Sequence, residues 1–339
     1  MGKNVVCFGE LLLRLAAPGR ELLLQSPRLE VSVGGAEANV AVSLALYGHD
    51  ARMISVVPDN ALGAAAIGEL RKHGVDTRMI ARRDGRMGLY FLATGAIQRP
   101  SEVVYDRAGS AFANAEAEFF DWKTLLVGAD AFHVSGVTPA LGARSAESAL
   151  AAMCAARACG SLASFDGNHR PHLWRAWNGD AAVITRDLLA QADVAFADHR
   201  DIAIALGRAT DDRPPLESLG DAASAAFEAF PHLGRLATTI RVQDSVDHHE
   251  LAGVLLTRAG ALHRTPSYTL ASIVDRIGGG DAFAAGMLHG LCSGMNDEQS
   301  LAFATAAACL KHSIPGDVNL VGAADVHAFV QHGRFDVRR

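Results

Sequence analysis

The chain has 339 residues, of which 50% are hydrophobic and 6% aromatic, and its formal net charge is −6. This length suffices for one large α/β domain with a small appendage, or for two modest domains. The acidic balance argues against nucleic acid as the main partner. No apolar stretch approaches the ~20 residues of a membrane helix. Five scattered cysteines and an N-terminal apolar run interrupted by Glu10 and Arg14 predict a cytoplasmic protein.

Short apolar runs alternate with helical patterns along the chain. The order is strand 5–8, helix 36–47, strand 53–57, helix 62–73, strand 131–134, helix 143–158, then strands 162–165, 194–197, 237–242 and 252–256. Alternation of this kind predicts a mostly parallel sheet with helices on both faces, and ligands at the carboxyl ends of its strands.

Two extended segments interrupt this alternation, at residues 10–33 and 85–107. Their period-2 patterns predict a small β-sheet that projects from the core and acts as a lid over the ligand. The α/β core then comprises residues 1–9, 34–84 and 108–339. Residues 210–215 read as a surface loop.

A glycine-rich loop is the strongest chemical signal. Asp275 and Arg276 follow a β-like run at 271–274, and Gly278-Gly279-Gly280 then lead into a helix with Asp281 in its first turn. Successive glycine N–H groups and the positive end of a helix dipole suit phosphate. A carboxylate beside that site could accept a proton from an attacking hydroxyl. The alternative is a glycine-rich turn capped by a structural aspartate.

Four weaker signals accompany the loop, and each also has an ordinary structural explanation. Gly34, Gly35 and Asn39 form either a close-approach site for a polar ligand or a plain helix start. Tyr90, Tyr105 and Arg107 lie on the lid, where they could cover a sugar-sized anion or stay solvated. Asp166, Asn168 and Arg170 follow a strand as a crevice site or an Asx turn. Asp317 ends a turn. His248 and His249 are interpreted as a solvated loop rather than as metal ligands.

Together these segments resemble the ribokinase-like family of carbohydrate kinases over nearly the whole chain. The resemblance rests on the two glycine signatures and on the runs GRMGLYF, RPSEVVYDRAGSAF, HVSGVTPAL, VDRIGGGDAFAAG and CLKHSIPGDVNLV. Within the family it is most similar to the 2-keto-3-deoxygluconate kinases. The resemblance implies a three-layer α/β/α sandwich with a mostly parallel central sheet and a small β-sheet lid, and ATP-dependent phosphorylation of a primary hydroxyl.

The resemblance also implies a role for each candidate residue. Asp281 would be the catalytic base, kept ionised by the helix dipole, and Gly278, Gly279 and Gly280 would form the anion hole. The acid sugar would contact Gly34, Gly35, Asn39, Tyr90, Tyr105, Arg107, Arg170 and Asp317. Two arginines also suit an anionic sugar on physical grounds.

For the nucleotide, the resemblance implies Asn168, Arg170, Asp198, Arg241, Gly278 and Gly280 as ATP contacts. Asp198 and Asp201 would hold Mg2+ through water, although many relatives carry Asn-x-x-Glu at these positions. The expected partners are an acid sugar and ATP, with a homo-oligomer formed through the lid sheets and neither nucleic acid nor membrane. Two alternatives remain: a kinase of another sugar, such as 2-keto-3-deoxygalactonate or fructose, and a catalytically silent sugar sensor.

Overall fold

The strands and helices follow the alternation of apolar runs and amphipathic segments in the sequence. The computed structural model describes residues 2–209 and 213–332. Their strands are β1 (Asn4–Phe8), β2 (Leu12–Ala16), β3 (Glu30–Gly34), β4 (Asp50–Pro58), β5 (Ile80–Arg83), β6 (Gly88–Ala93), β7 (Glu102–Asp106), β8 (Ala131–Ser135), β9 (Leu162–Asp166), β10 (Val194–Phe196), β11 (Arg235–Ser245), β12 (His248–Thr257), β13 (Leu262–Arg264) and β14 (Tyr268–Ala271).

The helices of the same residues include two short ones of four and five residues. They are α1 (Ala36–Leu46), α2 (Ala61–Lys72), α3 (Trp122–Leu125), α4 (Ala143–Ala158), α5 (Pro171–Arg175), α6 (Ala181–Gln191), α7 (His199–Ala205), α8 (Pro215–Ala229), α9 (Gly279–Cys292), α10 (Asp297–Lys311) and α11 (Ala323–His332). Single 3-10 turns lie at Ala117–Phe119 and Pro139–Leu141.

The large sheet has the strand order β13-β12-β11-β10-β9-β8-β1-β4-β5, with β14 paired to β12. In this order, the neighbouring strands β11, β10, β9, β8, β1, β4 and β5 run parallel to one another. The strands β12, β13 and β14 pair in antiparallel fashion. The crossover helices that parallel strands need cover both faces of the sheet. The carboxyl ends of β1, β8, β9 and β10 therefore meet at one edge, which is where the predicted site residues follow.

Alternation along β1 separates two apolar cores. Val5 and Cys7 pack into a core that also contains residues of α1, α2, α9, α10 and α11. Val6 and Phe8 face the opposite way and pack with residues of α4, α6, α7 and α8. A strand buried on both faces is what a doubly covered parallel sheet requires. The predicted three-layer α/β/α sandwich is confirmed.

The predicted small sheet is also present and has the order β3-β2-β6-β7. β2 pairs with β3 and β6 with β7 in antiparallel fashion, and the central β2–β6 pair is parallel. Leu12, Ala16, Tyr90 and Leu92 bury one face of it, together with Ile277 of the glycine-rich loop. This face of the sheet is thus packed next to that loop. The covering role of the sheet stays a prediction.

Three sequence predictions need comment. The β-like run predicted at 271–274 does not continue beyond Ala271, because β14 ends there and Ser272 has a φ of 57°. His248 and His249 lie in β12 rather than in a solvated loop, since the β11–β12 hairpin extends further than its apolar residues suggest. Part of the predicted loop at 210–215 lies outside the described residues. None of the helices in the described ranges is long and apolar enough to cross a membrane.

Candidate active site

The glycine-rich loop brings an open helix N-terminus to the edge of the sheet. Gly278 is the N-cap of α9 with a φ of 81°, and a Cβ there would collide with the Asp317 carbonyl oxygen. Only glycine fits this left-handed, closely packed position. The first helical hydrogen bond runs from Ala282 N to Gly278 O over 2.9 Å. The N–H groups of Gly280 and Asp281 precede it and have no acceptor within the helix, which gives the loop its capacity for an anion.

Asp281 is a buried carboxylate whose neighbours have opposing effects on its pKa. The Nδ2 of Asn39 in α1 donates to its Oδ2 over 2.7 Å. Burial raises the pKa of Asp281 to about 7, against the lowering effect of Asn39, and the nearby carboxylates of Asp317 and Glu37 raise it further. Desolvation therefore outweighs the stabilising bond from Asn39. Burial thus offsets the effect of the helix dipole that was predicted to keep Asp281 ionised, and a pKa near the working pH suits a general base.

The carboxyl groups of Asp166 and Asp201 line the same cavity as Asp281. Burial raises the pKa of Asp166 well above its usual value, and the charges of Asp281 and Asp201 add to the effect. Burial and Asp198 likewise raise the pKa of Asp201 to about 6. The charge of Arg170, in the segment between β9 and α5, opposes these shifts. A cation bound beside these carboxyl groups would favour their ionised forms.

Asp198 has a structural role in addition to its expected one. It is the N-cap of α7, where its Oδ1 accepts from Arg200 N and Asp201 N over 2.8 and 3.2 Å. Asp201 Oδ2 accepts from Asp198 N in return, which completes a capping box. Although burial raises the pKa of Asp198, the Arg200 guanidinium lowers it overall. Across residues 2–209 and 213–332, no three metal-ligating side chains of the His, Cys, Asp or Glu type cluster.

An ion-pair network joins the lid to the glycine-rich loop. Arg14 of β2 donates through Nη1 to Asp275 Oδ2 over 2.6 Å and to Asp317 Oδ1 over 2.9 Å. The Tyr90 hydroxyl of β6 lies 2.8 and 2.7 Å from the two Asp317 oxygens. The carboxylate of Asp317, the predicted partner of a substrate hydroxyl, thus accepts hydrogen bonds from Arg14 and Tyr90. Arg14 was not predicted as part of the site, because its partners lie 261 and 303 residues away.

A second buried pair supports the lid arginine. Arg107 Nε donates to Glu10 Oε2 over 2.6 Å, and the two side chains are only 6% and 1% exposed. Ser110 Oγ donates to the other Glu10 oxygen. Arg107 thus reaches the site with one edge of its guanidinium already fixed by protein. The sequence indicated only that Glu10 interrupts an apolar run, and it gave no sign of this pairing.

Glu37, like Arg14 and Glu10, is a buried charged residue near the site to which the sequence analysis gave no role. Its Oε1 accepts from Ser135 N, Ser135 Oγ and Thr138 Oγ1, each over 2.8 Å. Burial raises its pKa in spite of these bonds. Glu37 joins the first turn of α1 to the end of β8, so it positions Asn39 against Asp281.

One cavity of about 1350 Å3 collects nearly all of the predicted site residues. Its walls include Gly35, Asn39, Tyr90, Tyr105, Arg107, Asn168, Arg170, Asp198, Asp201, Arg241, Gly278, Gly280, Asp281 and Asp317. Gly34 and Gly279 are not among the lining residues. A Cβ on Gly34 would meet the Asp317 carboxylate, and one on Gly279 would meet His312 Cε1 at 2.8 Å. These two glycines permit close packing behind the wall, and their direct contacts with ligand stay predictions.

The chain is similar to known carbohydrate kinases over most of its length. The model of the family described as pfkB family carbohydrate kinase matches residues 2–320. A 2-dehydro-3-deoxygalactonokinase from Haloferax volcanii is 33% identical over the full length of both chains. A 2-dehydro-3-deoxygluconokinase structure from Thermotoga maritima has a TM-score of 0.90 at 38% identity, covering 97% of this chain and 99% of that one.

A more distant structure shares the fold alone. It is an Escherichia coli protein described as Ribokinase II in complex with ATP and Mg2+, with a TM-score of 0.80 at 18% identity. The match covers 98% of this chain and 99% of that one.

Proposed function

Because the chain belongs to the pfkB family of carbohydrate kinases, we propose that it transfers the γ-phosphoryl group of ATP to 2-keto-3-deoxygluconate. The acceptor is the primary hydroxyl, and the product is 2-keto-3-deoxy-6-phosphogluconate. The substrate class is supported by relatives named for the glucono and galactono forms of this acid sugar.

The observation that carries the proposal is Asp281 in the first turn of α9, beside the open N–H groups of Gly280. In the proposed reaction Asp281 accepts the hydroxyl proton while the hydroxyl oxygen forms a bond to the γ-phosphorus. The bond to the β-phosphate oxygen breaks, and ADP leaves with the electron pair. The loop N–H groups stabilise the charge on the phosphoryl oxygens. A pKa of about 7 suits Asp281 to this exchange near neutral pH.

In the sugar half of the cavity, lid and core supply different contacts. We assign the substrate carboxylate to Arg107 and Arg170, both of which line the cavity. Tyr105 would cover the sugar, and Asn39 and Gly35 would form its floor. Asp317 and Tyr90 bond to each other, so in this proposal they orient the lid and offer at most their remaining lone pairs to a hydroxyl.

For the nucleotide half, we propose that ATP contacts Asn168, Arg170, Arg241 and the glycine loop. Burial is the main cause of the raised pKa values of Asp166 and Asp201, and neighbouring carboxylates add to it; a divalent cation arriving with the nucleotide would favour the ionised forms of both groups. Mg2+ would supply charge neutralisation on the phosphates. Asp201, with Asp198 beside it, would hold the ion through water.

The test is ADP release with ATP and Mg2+ against 2-keto-3-deoxygluconate, its galactonate epimer, gluconate, fructose and ribose. We expect turnover of the two keto-deoxy acids and little with neutral sugars. Asp281→Asn should abolish it, whereas Asp59→Asn at an exposed site should not. A preference for fructose or ribose would refute the carboxylate assignment, and no turnover with any sugar would favour a sensor.

The galactonate epimer is the second candidate substrate, because the full-length relative from Haloferax volcanii is named for it. The two sugars differ only in the orientation of one hydroxyl, which a pocket distinguishes through a single hydrogen bond. The ratio of kcat/KM for the two epimers decides between them. A ratio above about tenfold in favour of galactonate would replace the main proposal.

We also propose that two copies pair through their lids. Val31 of β3 is 62% exposed, Leu24 is 82% exposed and Val104 of β7 is 45% exposed, all on the small sheet or its connection. Apolar side chains grouped on a projecting sheet favour a protein partner. Light scattering after gel filtration should give a dimer, and Val31→Lys should shift it to monomer. A wild-type monomer at all concentrations would refute the proposal.

A further inference from the structure

One lysine is completely buried behind the glycine-rich loop. Lys311, the last residue of α10, is 0% exposed. The other three lysines of the chain are exposed: Lys3, Lys72 and Lys123. In the described part of the chain, the one hydrogen bond of Lys311 runs from its Nζ to Ile314 O over 2.9 Å. Lysines near a helix C-terminus often bond to carbonyls there, but they seldom leave water to do so. The burial of Lys311 therefore needs a further reason.

Buried carboxylates near Lys311 provide part of that reason. Burial lowers the pKa of Lys311, and the charges of Asp275 and Asp317 oppose this effect. Both carboxylates also accept from Arg14 Nη1, over 2.6 and 2.9 Å. Two buried cations thus face two buried carboxylates, as the cost of burying an isolated charge requires. Among the described residues Lys311 forms no direct ion pair, so its charge acts on the cluster from a short distance.

The stem of Lys311 packs under the turn that opens the anion site. A Cβ on Gly278, the N-cap of α9, would lie 3.3 Å from Lys311 Cε. The carbonyl oxygen of Asp317 lies against the same glycine. The bond from Lys311 Nζ to Ile314 O closes the chain between α10 and Asp317 into a turn. Lys311 therefore supports Gly278 in two ways, by direct packing and by fixing the turn that carries the Asp317 carbonyl group.

We propose that Lys311 is a positioning residue of the anion site, which fixes the turn behind Gly278 and places a positive charge behind the loop N–H groups. This inference rests on the proposed kinase function. Lys311 is not among the residues that line the cavity, so it acts through the loop and not by contact with a ligand. During transfer, negative charge on the phosphoryl oxygens lies in front of the loop. A fixed, buried cation behind the loop stabilises this charge without moving.

The charge of Lys311 also acts on the proposed base. The carboxylate of Asp281 raises the pKa of Lys311, and because this attraction is mutual, the ammonium group favours the ionised form of Asp281. Burial raises the pKa of Asp281 to about 7 and lowers that of His312 to about 4. The charged and titratable groups that face Asp281 are Glu37, Asp166, Arg170, Lys311 and Asp317, and those that face Lys311 are Arg14, Asp275, Asp281, His312 and Asp317.

Lys311→Met tests this role, because methionine keeps the unbranched stem and removes the ammonium group. We expect kcat for the acid sugar to fall by about 10- to 100-fold. The Kd of ADP, which lacks the transferred phosphoryl group, should change by less than about threefold. The acid limb of the pH profile should move upward by about 0.3 to 0.5 unit, because Asp281 loses a neighbouring positive charge.

Lys123→Met, at an exposed position of α3, is the matched control and should change none of these quantities. A merely structural lysine would lower the melting temperature of Lys311→Met and leave the kcat of the folded protein and its acid limb unchanged. That result would overturn the proposal.

A measurement on the wild-type protein decides the case in which Lys311→Met does not fold. In protein labelled with 13C at the lysine Cε, reductive methylation alters the signals of the exposed lysines and leaves that of Lys311 unchanged. Without methylation, the Lys311 signal should shift with a midpoint near pH 7 as Asp281 ionises, and Asp281→Asn should abolish the shift. A signal that stays constant between about pH 5.5 and 8.5 would overturn the proposal. A wild type that shows the shift but phosphorylates no sugar would refute the kinase function and keep the coupling of Lys311 to Asp281.

Discussion

Replacing Asp281 by asparagine should inactivate the protein and stabilise it at the same time. General-base catalysis is worth about 10²- to 10⁴-fold, so kcat should fall by at least about a hundredfold while ADP still binds. The amide keeps a carbonyl oxygen that can accept the 2.7 Å bond from Asn39 Nδ2. The variant thus removes a charge and a base but retains the hydrogen bond.

The stability change follows from the pKa of Asp281. Burial raises it from 3.8 to about 7, so the folded protein holds this proton more tightly than the unfolded chain. The stability that the group contributes is complete below pH 3.8 and is lost as the pH rises through about 7. At 1.36 kcal/mol per pKa unit, the loss is about 2 kcal/mol at pH 5 and about 4 kcal/mol at pH 8. Asparagine has no such loss, and it also removes the charge that raises the pKa of Asp166.

Denaturant unfolding of both proteins at pH 5 and pH 8 gives the difference directly. We expect the advantage of the asparagine variant to grow by about 2 to 3 kcal/mol between these pH values. Asp59→Asn, at an exposed position, controls for general effects of charge. An asparagine variant that is less stable at pH 8 than at pH 5, relative to wild type, would refute the desolvation argument. Turnover within tenfold of wild type would refute the role of Asp281 as base.

Three further predictions concern the surroundings of the base. The kcat/KM for the acid sugar should fall about tenfold per pH unit below pH 7 as Asp281 becomes protonated; a flat profile down to pH 5.5 would contradict this. Arg107→Ala should destabilise the protein by about 3 to 5 kcal/mol, because Glu10 is left buried without its partner. The double variant Glu10→Gln/Arg107→Gln should recover most of this stability and still raise the KM for the sugar but not for ATP. Equal increases in the KM of ATP and of the sugar would contradict the contact of Arg107 with the sugar carboxylate. Arg14→Met should lower the free energy of unfolding by a similar amount, because two buried carboxylates lose their arginine. Arg52→Met, at a partly exposed ion pair, is its control. An equal loss in both variants would contradict the special role of Arg14.

Much of the fold was accessible from local sequence pattern. Helix 143–158 agrees with α4 to the residue, and the parallel strands were located to within a few residues, except β5, which was not predicted. Hydrophobic periodicity identifies such elements because each of them buries a face of its own. The β11–β12 hairpin was underestimated because its end at residues 243–249 is polar on the outside. There, pairing between strands rather than hydrophobic pattern maintains the extended backbone.

The candidate site was predictable where one short segment carries the chemistry. The glycine loop with Asp281 needs only a helix start and an adjacent carboxylate, which neighbouring residues specify. The ion pairs of Glu10 and Arg14 depend instead on residues 97 to 303 positions away. In one sequence these two residues indicate only interruptions of an apolar run. Their burial is decided by tertiary packing, which local pattern does not encode.

The distribution of unpaired charge is the strongest physical indication of what the cavity binds. Elsewhere around it, buried charges such as Glu10 with Arg107 compensate each other, as the cost of burying an isolated charge requires. The lining of the cavity includes the carboxyl groups of Asp166 and Asp281 and the guanidinium groups of Arg241 and Arg276, none of which has an ion pair among the described residues. No single small ion neutralises both groups. A magnesium nucleotide carries positive and negative charge a few ångströms apart, so its binding would compensate both groups at once.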